Sequence, residues 1–289
     1  MDERAALALL ERELEPVGDD AAVVDGLVLT TDMLHETTDF PAGTSRYTAG
    51  WRAVGASLSD VAAMGAHAVA AVAVYAAPGF DAEELLEFVR GASDVCDRVG
   101  AAYVGGDLDE HEEFTVVTTA LGRTDDPVRR SGARPGDRLC VTGTLGRSAA
   151  ALERFDRGEV ERANELFRFT PRVEAGLAVA PHATAMMDSS DGLARSLHQL
   201  ATASDCGFAV DSSRVPIDED LRELLDAAEA LELATTFGED FELVFTLPAD
   251  ELEAAREATD VPISVVGEAL EEGVTIDGEA LPDEGYTHG

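Results

Sequence analysis

Five aspartates in this chain, Asp20, Asp60, Asp107, Asp188 and Asp191, stand beside small or apolar residues rather than in hydrophilic runs. A carboxylate in such surroundings is costly to desolvate unless a cation compensates it. One residue in five of this sequence is acidic, so an aspartate taken singly is ordinarily a solvated surface group. Their setting distinguishes these five: Gly18-Asp-Asp-Ala-Ala22, Leu58-Ser-Asp-Val-Ala-Ala-Met-Gly65, Val104-Gly-Gly-Asp107 and Met187-Asp-Ser-Ser-Asp-Gly-Leu193. With Asp32 and the hydroxyls of Thr30, Thr31 and Ser190 they make a set of hard oxygen donors, which suits Mg2+ better than zinc. The chemistry expected of such a set is the holding of nucleotide phosphates through divalent ions.

The other candidates are weaker taken alone. Gly105-Gly106-Asp107 and Gly143-Thr144-Leu145-Gly146 are glycine-rich turns that either cradle phosphate or merely relieve backbone crowding. The pair Arg129-Arg130 before Ser131-Gly132 suits polyphosphate recognition through its planar donor forks, with simple ion pairing to nearby acids as the alternative. The six histidines show no metal-ligand spacing, and there is no Asp-x-Asp-x-Asp-Gly calcium loop.

Composition narrows the classes. At 289 residues the chain has room for about two domains. The 21 basic residues are all arginine, against 58 acidic ones, for a net charge of -37. With no lysine, a Walker-type phosphate loop and a common eukaryotic-type kinase are both excluded. So anionic a surface repels nucleic acid and anionic membranes, and suits concentrated salt, where the screening length falls to about 3 Å at 1 M. A salt-adapted cytoplasmic protein is expected. Cys96, Cys140 and Cys206 are odd in number and widely spaced, as reduced thiols would be. The start of the chain reads as an amphipathic helix over Ala5 to Leu14 rather than a signal sequence.

The elements that must position these residues follow from local pattern. Asp25-Gly26 between Ala21–Val24 and Leu27–Thr31 predicts a hairpin with Asp20 entering it and Asp32 leaving it, followed by a loop from Met33 to Pro41. Small and apolar residues recur at helical spacing from Ser45 to Met64, placing Asp60 in the last turns before Gly65. A strand over residues 68–76 and a helix capped by Asp81 come next, then a strand over 101–104 that delivers Gly105-Gly106-Asp107. The breaker-rich run from Thr124 to Gly136 marks a domain boundary, giving domains 1–128 and 129–289, each mixing strands and helices.

Taken together, Gly18–Ala22, Thr30-Thr-Asp32, Leu58–Gly65, Gly105-Gly-Asp107, Arg130-Ser-Gly-Ala-Arg-Pro-Gly-Asp137, Asp188–Leu193 and Gly238-Glu-Asp-Phe-Glu-Leu243 resemble, in this order, the thiamine-monophosphate kinases. The resemblance implies a two-domain α/β (α+β) fold of the aminoimidazole ribonucleotide synthetase superfamily, PurM-like, whose N-terminal sheet pairs across a homodimer. It implies transfer of the γ-phosphate of ATP to thiamine monophosphate. By position, Asp20, Thr30, Thr31, Asp32, Asp60, Asp107, Asp188 and Asp191 would bind Mg2+, and Gly106, Asp107, Arg130 and Ser190 would face ATP, Arg130 and Asp188 acting in catalysis. Glu239 and Tyr286 would face the thiamine moiety, with Glu239 preferred to Asp240. The family often has histidine before the phenylalanine of the loop after Thr-Thr-Asp, where this chain has Asp39, whose carboxylate could meet the cationic thiazolium. Two alternatives are another ATP-using member of the superfamily and a non-catalytic acidic cation-binding protein.

Overall fold

The structure, a computed structural model, describes Leu14 and residues 18–285, so Tyr286 and nearly all of the expected N-terminal helix lie outside the described residues. The first half builds a five-stranded sheet from β1 (Ala22–Val24), β2 (Leu27–His35), β3 (His67–Ala77), β4 (Ala102–Glu110) and β5 (Thr115–Arg123), ordered β1-β2-β5-β3-β4. Only β3 and β4 run parallel, joined by the helix Ala82–Arg98. The second half builds a seven-stranded sheet from β6 (Arg138–Thr142), β7 (Ala185–Asp188), β8 (Gly207–Val210), β9 (Leu243–Leu247), β10 (Ile263–Leu270), β11 (Val274–Ile276) and β12 (Glu279–Ala280), ordered β12-β11-β8-β10-β6-β9-β7. One apolar core runs through both halves, from Val28 and Leu58 to Leu139 and Val244.

The helix Arg46–Ala63 joins the halves. Ser45 caps it by accepting the Thr48 N–H, and Gly65 ends it in the left-handed region at φ 61°. Its residues are mostly small, so it is buried on nearly every face: the first sheet on one side, the helices Ala82–Arg98 and Val173–Val179 and the end of β7 on others. Gly50 and Gly91 set the crossing with Ala82–Arg98, since a Cβ at Gly91 would lie 1.9 Å from the Tyr47 carbonyl oxygen and one at Gly50 2.2 Å from that of Phe88.

The hairpin forms as its turn residues predict, with Asp25 and Gly26 both at positive φ, as a type I′ turn requires. Two local expectations are corrected. The strand after the turn continues through Asp32 to His35, because it pairs with β5 along its whole length, and the stretch expected as loop closes with a helical turn, Glu36–Asp39. Likewise Gly105-Gly106-Asp107 lies inside β4 rather than after a strand. The pair register steps from Ala71/Tyr103 to Ala73/Gly106, a bulge on the edge strand.

Candidate active site

Asp20, Asp60 and Asp188 come together from three elements: the turn before β1, the last turns of the helix Arg46–Ala63, and the end of β7. Each offers a carboxylate oxygen, and these atoms all lie within 4.8 Å of one another; no other such group of three occurs among the described residues. The site forms because the hairpin entrance, the helix C-terminus and the β7 end all abut the shared core. Asp60 accepts from Thr30 Oγ1 at 2.5 Å. Asp20 accepts from Arg130 Nε and Nη2 at 3.2 and 3.0 Å. Asp188 is buried with neither carboxylate oxygen in a hydrogen bond.

Such crowding shifts the charges. Burial raises the Asp60 carboxyl well above the usual carboxylate range, and Asp32, Asp188 and Asp20 add to it while the Thr30 hydroxyl opposes. Burial, then Asp20, pushes Asp188 up to about 8, with Arg130 and the nearby Ser59 and Ser190 hydroxyls acting the other way. Burial works against the charge of Arg130, but Asp20, backed by Asp188 and Asp60, outweighs it and holds the guanidinium protonated. An orphaned buried carboxylate beside two others, all hard oxygen donors, is an arrangement that a divalent cation such as Mg2+ fits.

The remaining expected residues fall into two places. Thr31, Asp32, Asp39, Ser190, Asp191 and Glu239 line a common cavity of about 380 Å3 next to the cluster. Asp39 and Glu239 also line a larger neighbour of about 650 Å3, which adds Glu36, Asp156, Phe40, Phe167 and Phe237. Thr31 is turned to the open face of the first sheet, where its hydroxyl donates to the Thr118 carbonyl at 2.8 Å. Asp39 is buried, its Oδ2 accepting from the His35 N–H and the Thr38 hydroxyl, both at 2.7 Å, so it also holds the helical turn that carries it. Gly106 and Asp107 lie apart from all of these, on the opposite edge of the first sheet. They line a cavity of about 450 Å3 with Tyr75, Phe88 and Tyr103. Gly106 has no room for a side chain there, since a Cβ would lie 1.6 Å from the Ala73 carbonyl oxygen.

Glu239 and Asp240 separate cleanly. The Asp240 carboxylate turns inward and accepts the Gly146 and Ser148 N–H groups at 2.5 and 2.9 Å, whereas Glu239 reaches the cavities. Three supporting residues escaped the sequence reading. Asp19 binds Arg129 at 2.6 Å and the Arg130 N–H at 2.9 Å; Ser57 donates to Asp32 at 2.5 Å; Arg52 reaches Glu239 at 2.6 Å. The available signal for Arg52 was a lone charge in the run Ala49–Ala56 of otherwise small and apolar residues.

Comparison with known proteins agrees with this geometry. Residues 18–124 match the family model of the AIR synthase related protein, N-terminal domain, and residues 134–278 match that of the C-terminal domain. A thiamine-monophosphate kinase of Halobacterium salinarum is 63% identical over the full length of both chains. That of Methanospirillum hungatei is 41% identical, covering 100% of this chain and 99% of the relative. A solved structure, "AaThiL complexed with AMPPCP and TMP", superposes with a TM-score of 0.90 at 29% identity, covering 100% of this chain and 97% of that one. On these similarities, with the two domain matches beneath them, the chain belongs to the thiamine-monophosphate kinase family of AIR synthase related proteins.

Proposed function

We propose that the chain transfers the γ-phosphate of ATP to thiamine monophosphate, giving thiamine diphosphate and ADP. The observation that carries the reading is the cluster of Asp20, Asp60 and the buried Asp188 beside two cavities that share Asp39 and Glu239. Carboxylates and aromatic rings wall the larger cavity, and among the described residues no basic side chain lines it, a setting suited to a cationic heteroaromatic ring. Asp39 and Glu239 are assigned to that ring, and Tyr286 with them.

Asp20, Asp60 and Asp188 would hold Mg2+, with Asp32, Asp191 and Thr30 completing the set, while the Thr31 hydroxyl, turned to the open face, stands outside it. When bound, Mg2+ supplies neutralisation between two polyanions and alignment of the reacting phosphates. Arg130, locked by Asp20, adds a fixed positive charge at the same place. Ser190, at the smaller cavity, faces the nucleotide. Asp188, buried and set by the β7 end, orients the site. No side chain has to act as a base, because a phosphate monoester with a second pKa of ~6 is already largely ionised near neutrality. An acceptor oxygen forms the new P–O bond in line as the bond to the departing ADP oxygen breaks.

Gly106 and Asp107, with the Tyr75, Phe88 and Tyr103 cavity, are assigned to ATP but lie at the far edge of the sheet. A homodimer accommodates this: β2 and β5 leave Leu29, Met33, Val117 and Leu121 on a sheet face with no covering layer among the described residues. A second copy on that face would bury these side chains and set the two first sheets, with their β4 edges, against each other. Met33→Glu should then yield monomers in size-exclusion chromatography with light scattering at molar KCl; an unchanged mass would remove the dimer from the reading. The division at 128/129 and a reducing, cytoplasmic setting for the free thiols belong to the same reading.

A product assay tests the reaction directly: ATP, Mg2+ and thiamine monophosphate in roughly molar KCl, chosen to screen the charge, read by mass spectrometry. Thiamine diphosphate with equimolar ADP, both lost on adding chelator, is expected. ATP binding without thiamine diphosphate would overturn the substrate and leave the fold family.

A further inference from the structure

Arg52 is fully buried, midway along the helix Arg46–Ala63, yet its polar contacts are all on the second half of the chain. Nη2 donates to Glu239 Oε2 at 2.6 Å and to the Glu239 carbonyl oxygen at 3.0 Å. Nη1 donates to the Phe167 carbonyl oxygen at 2.8 Å, and both terminal nitrogens lie 3.3 Å from Ser148 Oγ. The guanidinium lies over the Phe167 ring, 3.7 Å from its centroid, with Phe169 and Phe241 each at 5.5 Å.

Glu239 itself is held in an unusual conformation. Its φ is 61°, in the left-handed region, and Phe241 two residues on is at 53°. Non-glycine residues stay there only where the surroundings over-determine them. Several contacts do so: the Glu239 N–H donates to the Ser190 carbonyl at 2.6 Å, Asp240 is anchored on Gly146 and Ser148, and Arg52 grips both the side chain and the carbonyl of Glu239. A buried guanidinium is retained only where its charge is paired, and Glu239 is the one carboxylate with which it forms an ion pair among the described residues. The bond engages Oε2 and leaves Oε1 for the cavities that Glu239 lines.

We propose that Arg52 is a positioning residue for the acceptor substrate: it fixes the Glu239 carboxylate so that its free oxygen meets the cationic part of thiamine monophosphate. This rests on the reading above that seats that substrate against Glu239. Arg52 touches none of Asp20, Asp60 and Asp188, and its partner Glu239 also lines the larger cavity, so its removal is expected to act on binding of the acceptor more than on ATP. Charge-assisted pairing gives the carboxylate one direction; without it, Glu239 samples several rotamers and part of the binding free energy is lost.

The test is steady-state kinetics of Arg52→Lys, Arg52→Met, Glu239→Gln and the Arg52→Met/Glu239→Gln double variant in molar KCl, with separate KM values for thiamine monophosphate and ATP. Arg52→Met is expected to raise KM for thiamine monophosphate about 10- to 100-fold, the range for losing a contact to a charged group, with KM for ATP and kcat within about threefold. Arg52→Lys, which keeps the charge but not the fork, should fall between. Adding Arg52→Met to Glu239→Gln should cost less than about twofold more, because both remove one interaction. If Arg52→Met does not fold, the lysine variant carries the same comparison. If Glu239→Gln raises KM for thiamine monophosphate but the Arg52 variants leave it unchanged, or shift both KM values together, the positioning role is overturned and the substrate reading stands. If Glu239→Gln has no effect on that KM, the seat of the substrate fails and the role of Arg52 with it.

Discussion

Neutralising Asp188 separates the catalytic role proposed for the carboxylate cluster from what the cluster costs the fold. The group is buried, unbonded and close to Asp20 and Asp60, so in metal-free protein its charge is repelled and desolvated at once. Asp188→Asn should abolish thiamine diphosphate formation yet stabilise the metal-free protein by roughly 1–3 kcal/mol. Chemical denaturation in chelator checks this, and a less stable variant would show that the carboxylate is structurally paired. Asp240 gives the pH dependence. Burial pushes it up to about 7 against the two N–H bonds, while an unfolded aspartate titrates near 4. Between these values the folded chain binds the extra proton, so this contribution is full below pH 4 and is lost as pH rises through 7. Relative to Asp240→Asn, the parent should lose on the order of 2–4 kcal/mol between pH 4 and 7.5; a pH-independent difference in unfolding free energy would refute it. At this scale the gathering of Asp20, Asp60 and Asp188 was legible because small and apolar neighbours set each beside the core, though only Asp188 is fully buried. Arg52 was not, because its partners Phe167 and Glu239 are 115 and 187 residues away in sequence.

Among elements, the helix Arg46–Ala63 owes its place to small residues. Gly91→Ala would drive a Cβ into the Tyr47 carbonyl and should destabilise the protein by about 3 kcal/mol through displacement of the crossing helix. A change under half that size in a denaturation curve would mean that the two helices can part without cost. The hairpin, the Asp81 cap and this helix were all readable, since each is set by turn chemistry, capping or periodicity within a few residues. The continuation of β4 beyond Gly105-Gly106 was not, because a bulge breaks the two-residue alternation that marks a strand. Nor was the extension of β2 to His35, which depends on β5 some 80 residues downstream.

For the whole molecule the net charge of -37 decides the conditions under which the fold persists. Exposed pairs such as Arg162–Glu165 and Arg138–Glu268 weaken as salt screens them, while Arg130–Asp20, Arg172–Glu242 and Arg52–Glu239 are shielded by burial and keep their strength. Long-range repulsion is what salt removes, so stability should rise from 0.1 to 1 M KCl as the screening length falls from about 10 to about 3 Å. A thermal midpoint that does not move over that range would refute the salt adaptation inferred from composition. The source of the 63% identical relative, Halobacterium salinarum, accords with it. Among the described residues no helix is long and apolar enough to cross a membrane. Finally, Arg52 and Asp60 stand on one helix eight residues apart, a rise of about 12 Å. One rigid element thus carries both a carboxylate of the cluster and the guanidinium that holds Glu239, so a displacement of this helix would disturb the two ends of the proposed site together.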